Sequence, residues 1–270
     1  MAQPRVRIWP VRYRANNGAG RRAYIVLPHD VQPGHAHEPL PLVVSPHGRG
    51  VKPLANVQLW GNLPAVGRFA LFCPEGQGRK LVLYSWGWRG QIVDLARGRE
   101  IAVETLPWLR IDRRRFYAIG GSMGGQEALL LVARYGKRLA GAAAFDSATD
   151  LARRYRDFAV LENGAGLRRL ATIEVGGTPD DNPAGYRQRS PINYVKQIAA
   201  SGCPLQIWWS TADKIVVDQA HQSQALYDRV KAAHPKAPVA SVVGSWRHTS
   251  EMRAKTQLPK ALEWLGLIGT

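Results

Sequence analysis

Six short apolar runs punctuate this chain, at residues 41–45, 69–73, 116–119, 142–145, 205–209 and 239–243, each closed by glycine, proline or a polar cluster. Runs of that length without polar alternation suit strands buried on both faces of a parallel sheet. Between and after them, residues 92–109, 124–135, 219–233 and 250–265 repeat apolar side chains at three-to-four spacing, the period of an amphipathic helix. The opening differs. Residues 5–14 and 22–27 are strand-like and flank the turn-rich Asn16-Asn17-Gly18-Ala19-Gly20, which predicts an antiparallel start. Strands alternating with helices imply right-handed crossovers. The pattern therefore predicts an α/β fold, with a mostly parallel, eight-stranded type of sheet and helices on both faces.

Residues 147–201 are the least regular stretch. A weak helical signal over 151–158 precedes the turn-rich Gly176-Gly177-Thr178-Pro179-Asp180-Asp181-Asn182-Pro183. Inserted between two core strands, this stretch is either a small cap over a site or a long connection with a helix or two. No composition shift marks a linker, so residues 1–270 are expected to form a single domain.

Composition narrows the class. The chain is 45% hydrophobic and 21% charged, as an ordinary globular protein is. No apolar run approaches the length that spans a bilayer, and the N-terminus turns polar and basic at once. A cytoplasmic protein without a signal peptide is the expectation. Cys73 and Cys203 read as small buried residues; one disulfide between them stays open, but there is no disulfide framework. No Cys/His cluster has metal-ligand spacing, so neither metal nor cofactor is expected. The net charge of +17 would suit an anionic partner, or a basic surface with charge spread around it. No nucleic-acid-binding motif accompanies it, and the second reading is preferred.

Chemistry concentrates at Gly120-Gly121-Ser122-Met123-Gly124-Gly125, where a buried strand ends and a helix begins. A serine on such a turn projects its hydroxyl above the sheet edge, with small residues two positions either side. A serine hydroxyl needs a base oriented by an acid. His248 follows the last strand, at the same sheet edge as Ser122, whereas His221 and His234 fall in or beside a helix. Asp213 follows the strand at 205–209 and can reach the next strand's loop. Asp146 is the substitute acid, and Asp218 is read as a helix cap. Oxyanion donors are expected at the backbone N–H of Met123 and of Arg49, in the loop Pro46-His47-Gly48-Arg49-Gly50, where His47 is structural.

The segment 109–125, with His47-Gly48, Arg189-Ser190-Pro191, Asp213 with Val216, and His248 in that order, resembles the α/β-hydrolase superfamily. The nearest likeness is to prolyl-oligopeptidase-like and polyhydroxybutyrate-depolymerase-like serine esterases. The resemblance extends from about Arg22 onward and implies an acyl-enzyme mechanism. It departs in two places: Ser210 stands where the family often has glycine, and no β-propeller is seen. Esters are therefore expected over peptides. Nine tryptophans are many, and Trp60, Trp86 and Trp88, with Gly48, are candidate pocket residues for an aromatic or hydrophobic ester; packing against helices is the equal alternative for the tryptophans. The alternatives are a prolyl-oligopeptidase-like peptidase or acyl aminopeptidase, and a non-catalytic binding protein using its basic surface. A small-molecule ester is the expected partner; the sequence is silent on oligomeric state.

Overall fold

The computed structural model describes residues 5–269; residues 1–4, on which the expectation of no signal peptide partly rests, lie outside them. All eight strand-like runs form strands of one sheet: β1 (Val6–Arg14), β2 (Gly20–Pro28), β3 (Leu40–Val44), β4 (Ala70–Pro74), β5 (Ile111–Gly121), β6 (Gly141–Phe145), β7 (Leu205–Ser210) and β8 (Val239–Gly244). Their order is β1-β2-β4-β3-β5-β6-β7-β8. β1 pairs antiparallel with β2, and β2 with β4; every later pairing is parallel.

The apolar runs lack alternation because both faces are covered. Leu42 and Val44 of β3 enter one core, and Val43 enters the other. β6 divides the same way, with Ala142 and Ala144 on one side and Ala143 and Phe145 on the other. Such period-two sharing is what a strand between two helical layers requires. β8 stands at the edge and is less buried, with Val243 exposed.

Two helical expectations need correction. Residues 92–109 form two helices, Arg89–Ala96 and Gly98–Thr105, not one. The chain steps at Arg97 so that Gly98 can lie against Phe72, Leu42 and Phe116; Pro107 then disfavours helix at the residue before it. Over 250–265 only Leu258–Trp264 is helical. Residues 250–257 are a run of turns, in which the carbonyls of Ser250, Glu251 and Arg253 converge within hydrogen-bond reach of the one Thr256 hydroxyl. That run sends Met252 inward. The turn-rich stretch 147–201 is also more helical than its sequence suggests, with helices Leu151–Asp157, Gly164–Val175, Pro183–Gln188 and Val195–Ala199. Part of it has its own small core, where Leu151, Phe158, Ala171, Val175 and Tyr186 pack with Trp86 and Met123. Arg189 and Glu174, both buried, join as an ion pair 3.1 Å apart, and Glu174 also accepts the backbone N–H groups of Arg79, Lys80 and Leu81. Cys73 and Cys203 are free and buried. No helix among the described residues is long and apolar enough to cross a membrane.

Glu127, in the helix Met123–Tyr135, is buried against Ser85 and Gln91. Burial pushes its carboxyl up to about 7, against the donated hydrogen bonds that lower it. Between its unfolded value, near 4.5, and about 7 the folded chain holds a proton that the unfolded chain has released. Its contribution to stability is therefore fully present at low pH and is lost as pH rises through that window, by about 3 kcal/mol. Glu127→Gln is expected to flatten that slope, read as the difference in urea midpoint between pH 5 and pH 8 for variant and parent.

Candidate active site

The turn after β5 carries Ser122 at φ +58° and ψ −123°, a conformation that non-glycine residues rarely hold. Neighbouring backbone packs too closely for side chains: a Cβ at Gly120 would sit 2.4 Å from the Gly124 carbonyl oxygen, and one at Gly124 would sit 2.1 Å from that of Pro46. The turn is pinned by Ser122 N–H donating to Phe145 O at 2.8 Å, across to the end of β6. Gly48 lies against the Ser122 side chain, so the loop after β3 and the start of the Met123–Tyr135 helix face each other. Among the described residues, neither the Arg49 nor the Met123 backbone N–H has an acceptor.

His47 holds that loop in place. It is buried, with Nδ1 2.7 Å from Gly48 O and Nε2 2.8 Å from Glu75 O, and burial pushes its pKa down. With a backbone carbonyl at each ring nitrogen the imidazole is a strut between the loop and Glu75, and its place under the loop leaves the cavity to other side chains.

His248 sits in the loop after β8, its Nδ1 2.7 Å from Asp213 Oδ2. With Nδ1–H donating to the carboxylate, Nε2 is the nitrogen left with a free lone pair. Asp213 Oδ1 accepts the backbone N–H of Ile215 at 2.8 Å and of Val216 at 3.0 Å, and Oδ2 also accepts Gln219 Nε2 at 3.1 Å. Burial alone would push the Asp213 carboxyl up; His248 and the donors from Ile215 and Gln219 outweigh it and hold it below the usual carboxylate range.

Ser122 and His248 share the wall of one cavity of about 280 Å³, completed by Gly48, Arg49, Val51, Leu59, Ile215, Thr249 and Met252 among others. Their side chains make no hydrogen bond to each other.

Asp146, the substitute acid in the sequence reading, has another task. It follows β6 with φ +46°, and its Oδ1 accepts Ser210 N–H at 2.8 Å. Its Oδ2 accepts Trp246 Nε1 at 2.9 Å and Thr249 N–H at 2.7 Å, on both sides of His248. Burial pushes its carboxyl up, against those bonds. One ligand atom from each of Asp146, Asp213 and His248 falls within 4.8 Å of the others, but hydrogen bonds already account for the carboxylates, so the set reads as a support for the His248 loop. Sequence reading missed this support; the only visible signal was an acid at the end of β6. It also missed Met252, hidden within an expected helix.

Of the two readings of the tryptophans, packing holds and pocket lining does not. Trp60 is fully buried, packed on Phe69 with its Nε1 donating to Ser45 Oγ, because the helix Pro53–Trp60 turns that face to the sheet. Trp86 is buried between Tyr84 and Phe158, and Trp88 lies under the Arg189 guanidinium. None of the three lines the cavity, whereas Gly48 does. Asp218 does not cap the helix that follows; its carboxylate takes Arg153 and His221 instead.

The sequence pattern of the prolyl oligopeptidase family matches residues 89–264, about two thirds of the chain. No curated protein sequence matches. Among solved structures, Pyrococcus horikoshii acylaminoacyl peptidase superposes with a TM-score of 0.66 at 17% identity, over 92% of this chain and 38% of its own. S-formylglutathione hydrolase from Staphylococcus aureus gives 0.68 at 15% identity, over 97% of this chain and 99% of its own. An esterase of Pyrobaculum calidifontis gives 0.66 at 14% identity, over 91% and 78%. The chain thus spans well under half the length of the acylaminoacyl peptidase, and at these identities the likeness is one of fold. Family pattern and sheet agree: this chain belongs to the prolyl oligopeptidase family of α/β-hydrolase serine hydrolases.

Proposed function

We propose that the protein is a carboxylic ester hydrolase working through an acyl-enzyme on Ser122. The observation that carries the reading is one cavity holding Ser122, the Asp213-bound His248 and the loop that bears the Arg49 N–H. In this reading His248 Nε2 takes the Ser122 proton as Oγ attacks the acyl carbon. Asp213 keeps Nδ1 protonated, leaving Nε2 free to accept, and stabilises the imidazolium. The Met123 and Arg49 N–H groups, free of other acceptors, receive the negative charge of the tetrahedral oxygen. His248 then gives the proton to the leaving alkoxide, and a water, activated in the same way, releases the acid. Residues 1–270 act as one catalytic domain, with 147–201 as a small cap.

The walls favour a compact, largely apolar acyl or alcohol group. Val51, Leu59, Ile215 and Met252 supply apolar surface, and among the described residues no acidic side chain lines the cavity to hold a peptide amine. A second reading, a peptidase or acyl aminopeptidase, is favoured by the family match itself. The two separate on one panel: kcat/KM for p-nitrophenyl acetate and butyrate against that for N-acetyl-alanine p-nitroanilide and a blocked prolyl p-nitroanilide. The ester reading expects the esters to exceed either anilide by more than about 1,000-fold. Anilide turnover equal to or above ester turnover overturns it, since anilides are much the harder acyl donors.

A further inference from the structure

One polar side chain in the wall of the Ser122 cavity has no part in the proposed reaction. Asn56, in the helix Pro53–Trp60, is only 2% exposed and lines the cavity together with Val51 and Leu59. Its Nδ2 lies 2.8 Å from the Ser45 carbonyl oxygen, 3.1 Å from Ser45 Oγ and 3.6 Å from Cys73 Sγ, where β3 and β4 end. A carbonyl oxygen only accepts, so the atom facing it is the NH₂ group, and the orientation of the amide is fixed. Trp60, one helical turn on, donates Nε1 to the same Ser45 Oγ at 3.1 Å, which locks this side of the helix to the sheet. The amide oxygen has no such tie. Oδ1 accepts no hydrogen bond from any described residue, and it is not sealed inside the protein either. The small part of Asn56 that stays open is its share of the cavity wall, so Oδ1 opens onto the cavity. Gln77, Gln91 and Gln126 also leave an amide oxygen unpaired, but each of those is closed off by surrounding atoms. Gln222, fully buried, shows the usual arrangement: its Oε1 accepts the backbone N–H of Thr149 and of Asp150, both at 2.7 Å.

We propose that Asn56 Oδ1 is the acceptor for a hydroxyl group carried by the substrate, so that the protein selects hydroxylated esters over their plain alkyl counterparts. The inference deepens the ester-hydrolase reading and rests on it for the reaction, but the acceptor itself is a property of the cavity wall. The donor it fits is neutral. Among the described residues no acidic side chain lines the cavity, so an ammonium would exchange its hydration for a single amide oxygen, whereas a hydroxyl needs only one acceptor. Val51, Leu59, Ile215 and Met252 accommodate the carbon chain that joins hydroxyl and ester, and a cavity of about 280 Å³ keeps that chain short. Because Ser45 already holds the amide in place, little freedom is lost when the hydroxyl arrives. An ester without the hydroxyl leaves Oδ1 facing a methyl group, and the hydrogen bond is forfeited.

The test pairs each hydroxylated ester with the alkyl ester in which methyl replaces hydroxyl. On the leaving-group side the pairs are ethylene glycol monoacetate with propyl acetate, and trimethylene glycol monoacetate with butyl acetate. On the acyl side they are methyl lactate with methyl isobutyrate, and methyl 3-hydroxypropanoate with methyl butanoate. The quantity read is the hydroxyl-to-methyl ratio of kcat/KM, each rate first divided by that of hydroxide hydrolysis so that intrinsic reactivity cancels. At least one pair is expected to give a ratio of about fivefold or more in the parent, and Asn56→Leu is expected to bring it to within about twofold of unity. The pair that responds tells which side of the ester bears the hydroxyl. A purely structural loss in Asn56→Leu slows both members alike and leaves the ratio in place, an outcome that overturns the acceptor. Parent ratios within about twofold of unity in every pair overturn it without any variant, so the test stands even if Asn56→Leu does not fold.

Binding to the Ser122→Ala protein separates this from the hydrolase reading. The same pairs are titrated into isotope-labelled protein, and dissociation constants are read from the amide shifts in its NMR spectrum. The hydroxylated member of at least one pair is expected to bind about fivefold more tightly, and the added Asn56→Leu change is expected to erase that preference. Hydroxyl preference in binding without turnover of any ester would keep the acceptor and sink the hydrolase reading. Ester turnover with no hydroxyl preference in rate or in binding would do the reverse.

Discussion

Ser122→Ala is expected to lower kcat for p-nitrophenyl ester hydrolysis by about 10⁵- to 10⁶-fold while the urea midpoint stays close to that of the parent. The size follows from the role: without the hydroxyl no acyl-enzyme can form, and only binding and oxyanion stabilisation remain to assist water. The retained fold follows from the geometry. The strain at this position lies in the backbone, at φ +58°, and alanine bears it as serine does. The Ser122 N–H to Phe145 O bond and the close packing of Gly120 and Gly124 do not involve the hydroxyl. Progress curves at enzyme concentrations high enough to see a 10⁵-fold loss, beside urea melts, check both halves. Turnover within about tenfold of the parent would mean that another group attacks the ester.

The second large effect separates the two carboxylates near His248. Asp213→Asn is expected to lower kcat by about 10⁴-fold, because an amide can turn its NH₂ toward Nδ1 and leave the proton on Nε2, the tautomer that cannot accept from Ser122. Gln219 and the backbone donors of Ile215 and Val216 fix the side chain's plane, so little relaxation is available. Asp146→Asn is expected to act differently. It disturbs the anchoring of Trp246 and Thr249, so the His248 loop loosens and the urea midpoint falls, while the imidazole keeps its Asp213 partner. Kinetic measurement of both variants, with urea melts, checks the division. If Asp146→Asn cost more activity than Asp213→Asn at unchanged stability, the roles assigned to the two acids would be exchanged.

The strands were legible because a strand covered on both faces must be largely apolar, and β3, β4, β6, β7 and the Phe116–Gly121 half of β5 are so covered. Glycine spacing made the Ser122 turn legible as well, since Gly120 and Gly124 leave no room for a Cβ. Chain order pointed to Asp213 and His248, and the 2.7 Å contact between them agrees with that order. Tertiary effects hid the rest. Helical periodicity over 250–257 gave way to turns held by the Thr256 hydroxyl, which put Met252 in the cavity wall. The helix Gly164–Val175 begins with two glycines, poor helix formers, and depends on packing with Trp86 and Tyr186 that local sequence does not reveal. Tryptophan position along the chain did not predict which face each would turn: Trp60 points into the core, and Trp88 lies under Arg189. An arginine without a partner is likewise invisible in sequence, because only packing shows that Arg154 lacks the carboxylate that Arg189 has.

The central claim is that Ser122 is a nucleophile activated by His248. It is met most directly by treating the folded protein with a fluorophosphonate probe and locating the adduct by peptide mass spectrometry. A serine activated in this way is expected to give one stoichiometric adduct, on the peptide containing Ser122, with labelling slowed by more than about 100-fold in His248→Ala. Folded protein that stays unlabelled, or that carries the adduct on another residue, would contradict the account.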